Sequence, residues 1–342
     1  MKTRAAILVE QKKPLVIEEV EVPALKLGQV LVKVLASGIC GSQIGEINGV
    51  KGPDRFLPHL LGHEGCGTVL EVGEGVRTVK PGDRVVLHWR KGAGLESVTP
   101  TYGSRLGTVN AGWVTTFNEH ALVSENRVTR VPADFDIEAA ALFGCAITTA
   151  FGVVNTNAQV AIGQSVAVFG AGGLGMSAIQ LAKGMAALDV FAVDLNPAKL
   201  QLAERYGAIP VDAAAGDPVA EIKRLTGGKG VDVALELIGL PVTMRQAVLA
   251  LGVMGRAGLA GITTRPFEVY SYRELLGKEA EIIGCSDHLM QELPLLIEFA
   301  RRGILDLSHV VTRTVPLAAD PINAVMDALE QFGGDVRAVI VP

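Results

Sequence analysis

Gln164-Ser-Val-Ala-Val-Phe-Gly170-Ala-Gly-Gly-Leu-Gly175-Met-Ser-Ala-Ile-Gln-Leu-Ala-Lys-Gly-Met-Ala-Ala187 decides the fold. A short run of Val, Ala and Phe reads as a strand buried on both faces. Three spaced glycines follow, then an apolar stretch at helical spacing, with Leu174, Ala178, Leu181, Ala182 and Met185 on one face. Gly170 permits a tight turn, Gly172 lets the backbone approach a pyrophosphate, and Gly175 lets helix and strand pack closely. Gly173 and Leu174 begin the helix, whose free N–H groups and positive dipole end suit phosphate. The next strand, LDVFAVD (188–194), ends on Asp194, placed to accept from ribose hydroxyls and to repel a 2′-phosphate. The expected cofactor is therefore NAD.

Outward from this unit the rhythm continues. NPAKLQLAERYGA reads as a helix started by Asn196-Pro197. VDVALELIG (231–239), GRAGLAGI (255–262) and EAEIIGCS (279–286) read as further buried strands. Strands alternating with helices imply a parallel, doubly wound sheet with right-handed crossovers. Two helices follow, LMQELPLLIEFARRG and DPINAVMDALEQFGG, then a terminal strand in VRAVIVP. Before about residue 140 the pattern differs: VLVKVLASGIC, GTVLEVGEGV and GDRVVLHW are short Val/Leu-rich runs between Gly and Pro-Gly turns, a β-rich region.

The chain has 342 residues, more than one core usually covers, so two domains are expected. A net charge of -5 argues against a broad nucleic-acid surface. No apolar run reaches the roughly 18 residues of a membrane helix. The start, MKTRAAILVEQKK, does not read as a signal peptide, and the expected compartment is the cytoplasm. Four cysteines are too few for a disulfide scaffold, which leaves metal or catalytic roles.

Cys40 closes a strand-like run, His63 and Glu64 stand in LLGHEGCG, and Cys145 stands in ALFGCAITTA. Two thiolates and an imidazole with a fourth position open form a catalytic type of zinc site. The spacing is not a compact metal motif, and a lone Cys or His is as readily a core residue. Cys66 and Cys285 read as buried small hydrophobes.

With GIC40GS, G62HEGCGTVLEVGEGV, K80PGDRVV, G144CAITTAFGVV and G170AGGLG in order, the whole chain resembles the zinc-containing alcohol dehydrogenase-like family of the medium-chain dehydrogenase/reductase superfamily. GTVNAGWVTTFNEHALVSENRVTRVP is similar to the branch of glutathione-dependent formaldehyde dehydrogenases. The resemblance implies an α/β chain: a Rossmann NAD-binding domain, 151–285, inserted in a GroES-like β-rich catalytic domain, 1–150 and 286–342. It implies that Cys40, His63 and Cys145 hold a catalytic zinc and that Glu64 approaches the metal. Ser42 would touch the substrate alcohol and start proton removal. Lys199 would lie near the adenosine ribose, with a solvated helix lysine as the alternative. Arg337 would lie near the pyrophosphate and Glu64. Trp89 falls where an aromatic lines the substrate cleft, or is a core residue. The implied reaction is hydride transfer between an alcohol, polyol, sugar derivative or thiol–aldehyde adduct and NAD(H), in a homodimer or homotetramer. A zinc-free reductase of activated double bonds shares the architecture and is the alternative.

The chain departs from its relatives in two places. Where many have Cys-Gly-Ser-Asp and then His two later, it has Cys40-Gly-Ser42-Gln43-Ile-Gly45. An amide thus replaces the carboxylate expected to orient His63, which makes the zinc somewhat more Lewis-acidic. The outer His of the proton relay is a glycine, so the proton leaves by water, a cofactor hydroxyl or another residue. The structural-zinc lobe also lacks its four cysteines in WRKGAGLESVTPTYGSRLGT, so one zinc per subunit is expected.

Overall fold

The computed structural model describes residues 1–50, 52–286, 292–333 and 335–342. Contacts divide them into two units: 1–148, 292–298 and 310–342 in one, 149–286 and 299–309 in the other.

The second unit is built on a six-stranded parallel sheet. Its order is Ile209–Asp212, Val190–Asp194, Val166–Phe169, Val231–Glu236, Leu251–Leu259 and Glu281–Gly284. The central strands are buried along nearly their whole length, as a sheet covered on both faces requires. Leu251–Leu259 begins before the apolar run at 255 and ends before Ile262, because Ala260 N–H and Gly261 N–H turn to the Glu236 carbonyl. Ile209–Asp212 is a strand the hydrophobic pattern did not reveal, being four residues long with a proline inside. Helix Pro197–Arg205 starts where expected, with the Asn196 side chain accepting from Ala198 N–H at 2.9 Å. Gly173–Gly184 is buried from Gly175 through Ala182, not along one stripe. Its outer face is covered too: Gln180 exchanges hydrogen bonds with the Asp306 backbone, and Ile304 lies against Gly184. Of the helix expected at 289–303, Leu293–Arg301 is helical and 289–291 fall outside the described residues.

The first unit carries two β-layers. Lys2–Leu8, Val16–Glu21, Thr101–Ser104, Gly107–Asn110 and His59–Leu60 form a closed barrel. A seven-stranded sheet is centred on Gln29–Ile39. One neighbour of that strand is Glu64–Val72, with Ser37 opposite Gly65. Another is the C-terminal strand Ala338–Val341, with Ala338 opposite Ile39. Beyond Glu64–Val72 lies Arg84–His88, with Glu64 opposite His88. This register brings Cys40, Glu64 and Arg337 to one end of the sheet although they are up to 297 positions apart in the chain.

The segment after Trp89 is held by a carboxylate and a guanidinium. The Glu125 side chain, 1% exposed, accepts from Arg77 and Thr78 N–H through Oε1 (2.6 and 2.7 Å) and from Leu95 N–H through Oε2 (2.7 Å). Arg127, 2% exposed, donates to the Trp89 carbonyl and to Glu96. Gly92 N–H donates to the Asn126 carbonyl and Ser97 N–H to Ser124 Oγ. Gly94 has φ +105, and a Cβ there would meet Glu125. Among the described residues, no single helix is long and apolar enough to cross a membrane.

Candidate active site

Cys40 leaves the Gln29–Ile39 strand and caps the short helix Gly41–Ile47. Gln43, three residues on and fully buried, fixes that start: its Oε1 accepts from Cys40 N–H at 2.8 Å, the return half of a capping box. The same Gln43 amide group meets His63 Nδ1. One amide thus spans two of the expected ligands, where relatives were expected to place a carboxylate. His63 directly precedes the Glu64–Val72 strand, and Cys145 joins the turn Leu142–Gly144 to the helix Ala146–Phe151. The Sγ atoms of Cys40 and Cys145 and a ring nitrogen of His63 all lie within 4.8 Å of one another.

Glu64 is fully buried behind this cluster. Its Oε2 accepts from Ala146 N–H at 3.1 Å, and its Oε1 pairs with the Arg337 guanidinium, itself 7% exposed. Room for the carboxylate comes from Gly38, where a Cβ would stand 2.5 Å from Glu64 Oε1. Ser37 and Thr116 hydroxyls both donate to the Glu64 carbonyl. Ser42 Oγ is shielded from solvent and has no hydrogen-bond partner among the described residues.

The electrostatics favour anionic sulfur. Hydrogen bonding from Cys145 holds the Cys40 thiol well below the ordinary thiol range, against burial and with help from His63 and the Arg337 charge. Burial disfavours charge on His63, but Cys40 and Glu64 beside it hold its pKa above the usual imidazole value. Burial raises the Glu64 carboxyl, opposed chiefly by Arg337. Cys66 and Cys285, by contrast, are pushed up to about 11 by burial, as inert thiols are.

In the second unit the glycine loop has a strict geometry. Gly170 has φ +100, in the left-handed region. A Cβ at Gly175 would stand 1.8 Å from the Gly170 carbonyl oxygen, so no side chain fits. A Cβ at Gly172 meets nothing within 4 Å, which leaves that backbone open to an approaching group. Gly172 caps the helix; Gly173 is buried and Leu174 half-buried in its first turn. Asp194 is anchored by two backbone donors, Ala171 N–H at 2.8 Å and Asn196 N–H at 2.9 Å. Lys199 is 8% exposed on the helix Pro197–Arg205. Trp89 packs half-buried against the Val30–Val85 core, with Arg90 stacked 3.8 Å over its ring.

Several site features were not visible in the sequence. Gln43 could be recognised only as a departure; its bridge between Cys40 and His63 needs the fold. Glu125 and Arg127, in SENRV, read as ordinary charged residues. Glu236 ends its strand fully buried, with Oε1 accepting from Ile238 N–H, Gly239 N–H and Thr243 Oγ1 while Oε2 has no partner among the described residues. No local motif marks it.

A barrel unit bearing a Cys–His–Cys cluster and a parallel-sheet unit bearing a glycine-rich strand–helix loop together define a zinc-type dehydrogenase. The comparisons carry this further. Residues 26–133 match the alcohol dehydrogenase GroES-like domain and residues 173–302 the zinc-binding dehydrogenase domain. The S-(hydroxymethyl)glutathione dehydrogenase of Escherichia coli O6:H1 is 34% identical, covering 99% of this chain and 100% of its own. That alignment runs over 378 positions, so the relative carries segments this chain lacks. The crystal structure of benzyl alcohol dehydrogenase from Acinetobacter calcoaceticus superposes with a TM-score of 0.87 at 28% identity, covering 100% of this chain and 99% of that one. That of 2R,3R-butanediol dehydrogenase from Bacillus subtilis gives 0.83 at 32% identity, covering 99% of each. The chain belongs to the zinc-containing alcohol dehydrogenase family of the medium-chain dehydrogenase/reductase superfamily, and its role is that of an alcohol dehydrogenase.

Proposed function

We propose that the protein is a one-zinc, NAD-linked dehydrogenase that interconverts an alcohol and the corresponding carbonyl compound. The observation that carries this reading is the convergence of Cys40, His63 and Cys145 beside an unpartnered Ser42 hydroxyl. Two sulfur ligands and an imidazole suit zinc and leave one position for substrate. When bound, the zinc supplies Lewis acidity to the substrate oxygen and the nicotinamide accepts hydride.

The chain's own residues do the rest. Cys40, His63 and Cys145 supply the ligands, and Gln43 orients the first two from one buried amide. Glu64, balanced by Arg337, places a carboxylate behind the cluster. Ser42 Oγ, two residues from Cys40, receives the alcohol proton. Gly172 and the start of its helix receive the pyrophosphate, and the fixed negative charge of Asp194 selects NAD over NADP. Lys199 stands five residues past Asp194, on the ribose side. A thiol–aldehyde adduct, a benzylic alcohol and a vicinal diol, the substrate types in the relatives' names, head the candidate substrates.

The test is NAD-linked absorbance at saturating cofactor across primary alcohols, polyols, sugar derivatives and S-(hydroxymethyl)glutathione. Turnover of at least one alcohol that stops on zinc removal supports the reading. Reduction of an activated double bond by zinc-free protein, with no alcohol oxidised, overturns it.

A further inference from the structure

In the six-stranded sheet the strand order reverses between Val166–Phe169 and Val231–Glu236. The strands that follow the first lie on one side of this point, and those that follow the second lie on the other. In such a sheet a dinucleotide lies across the carboxyl ends of the strands at the reversal, one nucleotide to each half. Asp194 ends a strand of the first half, which makes that the adenosine side. The nicotinamide side is then the half that begins with Val231–Glu236.

Glu236 is the last residue of that strand, opposite Phe169 on one side and Leu259 on the other. It ties the strand ends together. Its carbonyl accepts from Ala260 N–H at 2.9 Å and from Gly261 N–H at 3.1 Å. Its carboxyl Oε1 accepts from Ile238 N–H at 3.1 Å, Gly239 N–H at 2.8 Å and Thr243 Oγ1 at 2.6 Å. Leu237 N–H returns to the Phe169 carbonyl at 3.0 Å.

The turns so held meet backbone against backbone. Gly239 has φ +90, and a Cβ there would stand 2.5 Å from the Ile262 carbonyl oxygen. A Cβ at Gly261 would stand 2.0 Å from Gly239 N and 2.5 Å from Glu236 Oε2. A Cβ at Gly170 would stand 2.6 Å from Ile238 Cγ1, so the same turn lies against the first glycine of the strand–helix loop. Glu236 is 0% exposed, and its Oε2 has no partner among the described residues. Burying such an oxygen is costly, which calls for a reason at this position. The carboxyl is too deep to touch a ligand, so it acts through the turns it holds.

We propose that Glu236 is a positioning residue for the nicotinamide nucleotide. Its carboxyl sets the turn at 237–240 against Gly170 on one side and against Gly261 and the exposed Ile262 on the other. These two turns are the surface on which the nicotinamide half of the dinucleotide rests. The inference rests on the NAD-binding reading above.

The experiment compares binding of two probes to wild type, Glu236→Leu, Glu236→Gln and Gly261→Ala. NADH is followed by its fluorescence. ADP, which carries the adenosine and both phosphates but no nicotinamide nucleotide, is followed by calorimetry. In Glu236→Leu the Ile238 and Gly239 N–H groups lose their acceptor, so the turn moves and NADH must restore it. Binding of NADH should weaken roughly tenfold or more, while ADP stays within about twofold of wild type. The Glu236→Gln amide oxygen can still accept from the same donors, so both probes should bind nearly as in wild type. Gly261→Ala crowds the turn from outside, should show the same split between probes, and stands in if Glu236→Leu does not fold. Undiminished NADH binding in Glu236→Leu overturns the proposal, and so does an equal loss of NADH and ADP, which marks a merely structural role. A Glu236→Gln protein as weak as Glu236→Leu overturns it too. A wild type that binds no NADH overturns the NAD-linked reading, and this inference with it.

Discussion

Replacing Glu125 by Gln leaves the shape of the side chain and removes its charge. In the native protein three backbone N–H groups, on Arg77, Thr78 and Leu95, converge on this carboxylate. The substituted amide can turn its oxygen toward Arg77 and Thr78, but its NH₂ group then faces Leu95 N–H, donor against donor. Hydrogen bonds to a charged group contribute about 1.5–3 kcal/mol each, and an orphaned buried donor costs about 1–3 kcal/mol. A loss of about 2–3 kcal/mol follows, concentrated where Leu95 is tied down. At about 1.4 kcal/mol per factor of ten, the Leu95 amide should exchange with solvent roughly 30- to 150-fold faster. Native-state hydrogen exchange read by mass spectrometry over 89–100 measures this, without assuming that two units unfold together. The pH dependence has a definite sign. Burial alone would raise the Glu125 carboxyl, but the backbone N–H groups outweigh it and hold it below the ordinary value. Its contribution is therefore full above the unfolded-state carboxyl pKa and is lost as pH falls through the folded one. Acidification should abolish the difference between wild type and Glu125→Gln. Equal protection of 89–100 in the two proteins at neutral pH would refute the claim that this carboxylate holds the segment.

Three further outcomes follow from the site. Gly175→Ala should disrupt the glycine loop, because its Cβ would stand 1.8 Å from the Gly170 carbonyl. Strain of about 1–3 kcal/mol or more is expected, read as a lower melting temperature and weaker NADH binding by fluorescence titration. Arg337→Met strands the buried Glu64 carboxylate and should destabilise the first unit by about 3–5 kcal/mol in chemical denaturation, with Glu64→Gln restoring much of the loss. Asp194→Ser should narrow the preference for NAD over NADP by roughly tenfold or more, from the ratio of kcat/KM values, through loss of a charge and an acceptor; wild-type protein that prefers NADP would contradict this reading.

The legibility of the chain in its sequence was uneven, for physical reasons. The glycine loop is local: a strand, three glycines, a helix and an acid lie within about thirty residues, and each obeys a short-range rule. The central strands were legible because a sheet covered on both faces needs unbroken apolar runs. Cys40, His63 and Cys145 come from three distant segments, and only resemblance to a family marked them together; their meeting depends on sheet register. Ile209–Asp212 escaped because four residues around a proline carry too little pattern. The Glu125–Arg127 clasp escaped because a charged residue that ties down distant backbone looks in sequence like one facing water.

The central claim is that one catalytic zinc on Cys40, His63 and Cys145 supports NAD-linked alcohol oxidation. Its most direct test is elemental analysis of the purified protein alongside turnover, for wild type and Cys145→Ala. The account predicts close to one zinc per chain in wild type, and loss of both metal and alcohol-dependent NADH formation in Cys145→Ala, with the NADH-binding unit still folded. Full activity without zinc, or a Cys145→Ala protein that keeps both its metal and its turnover, would contradict it.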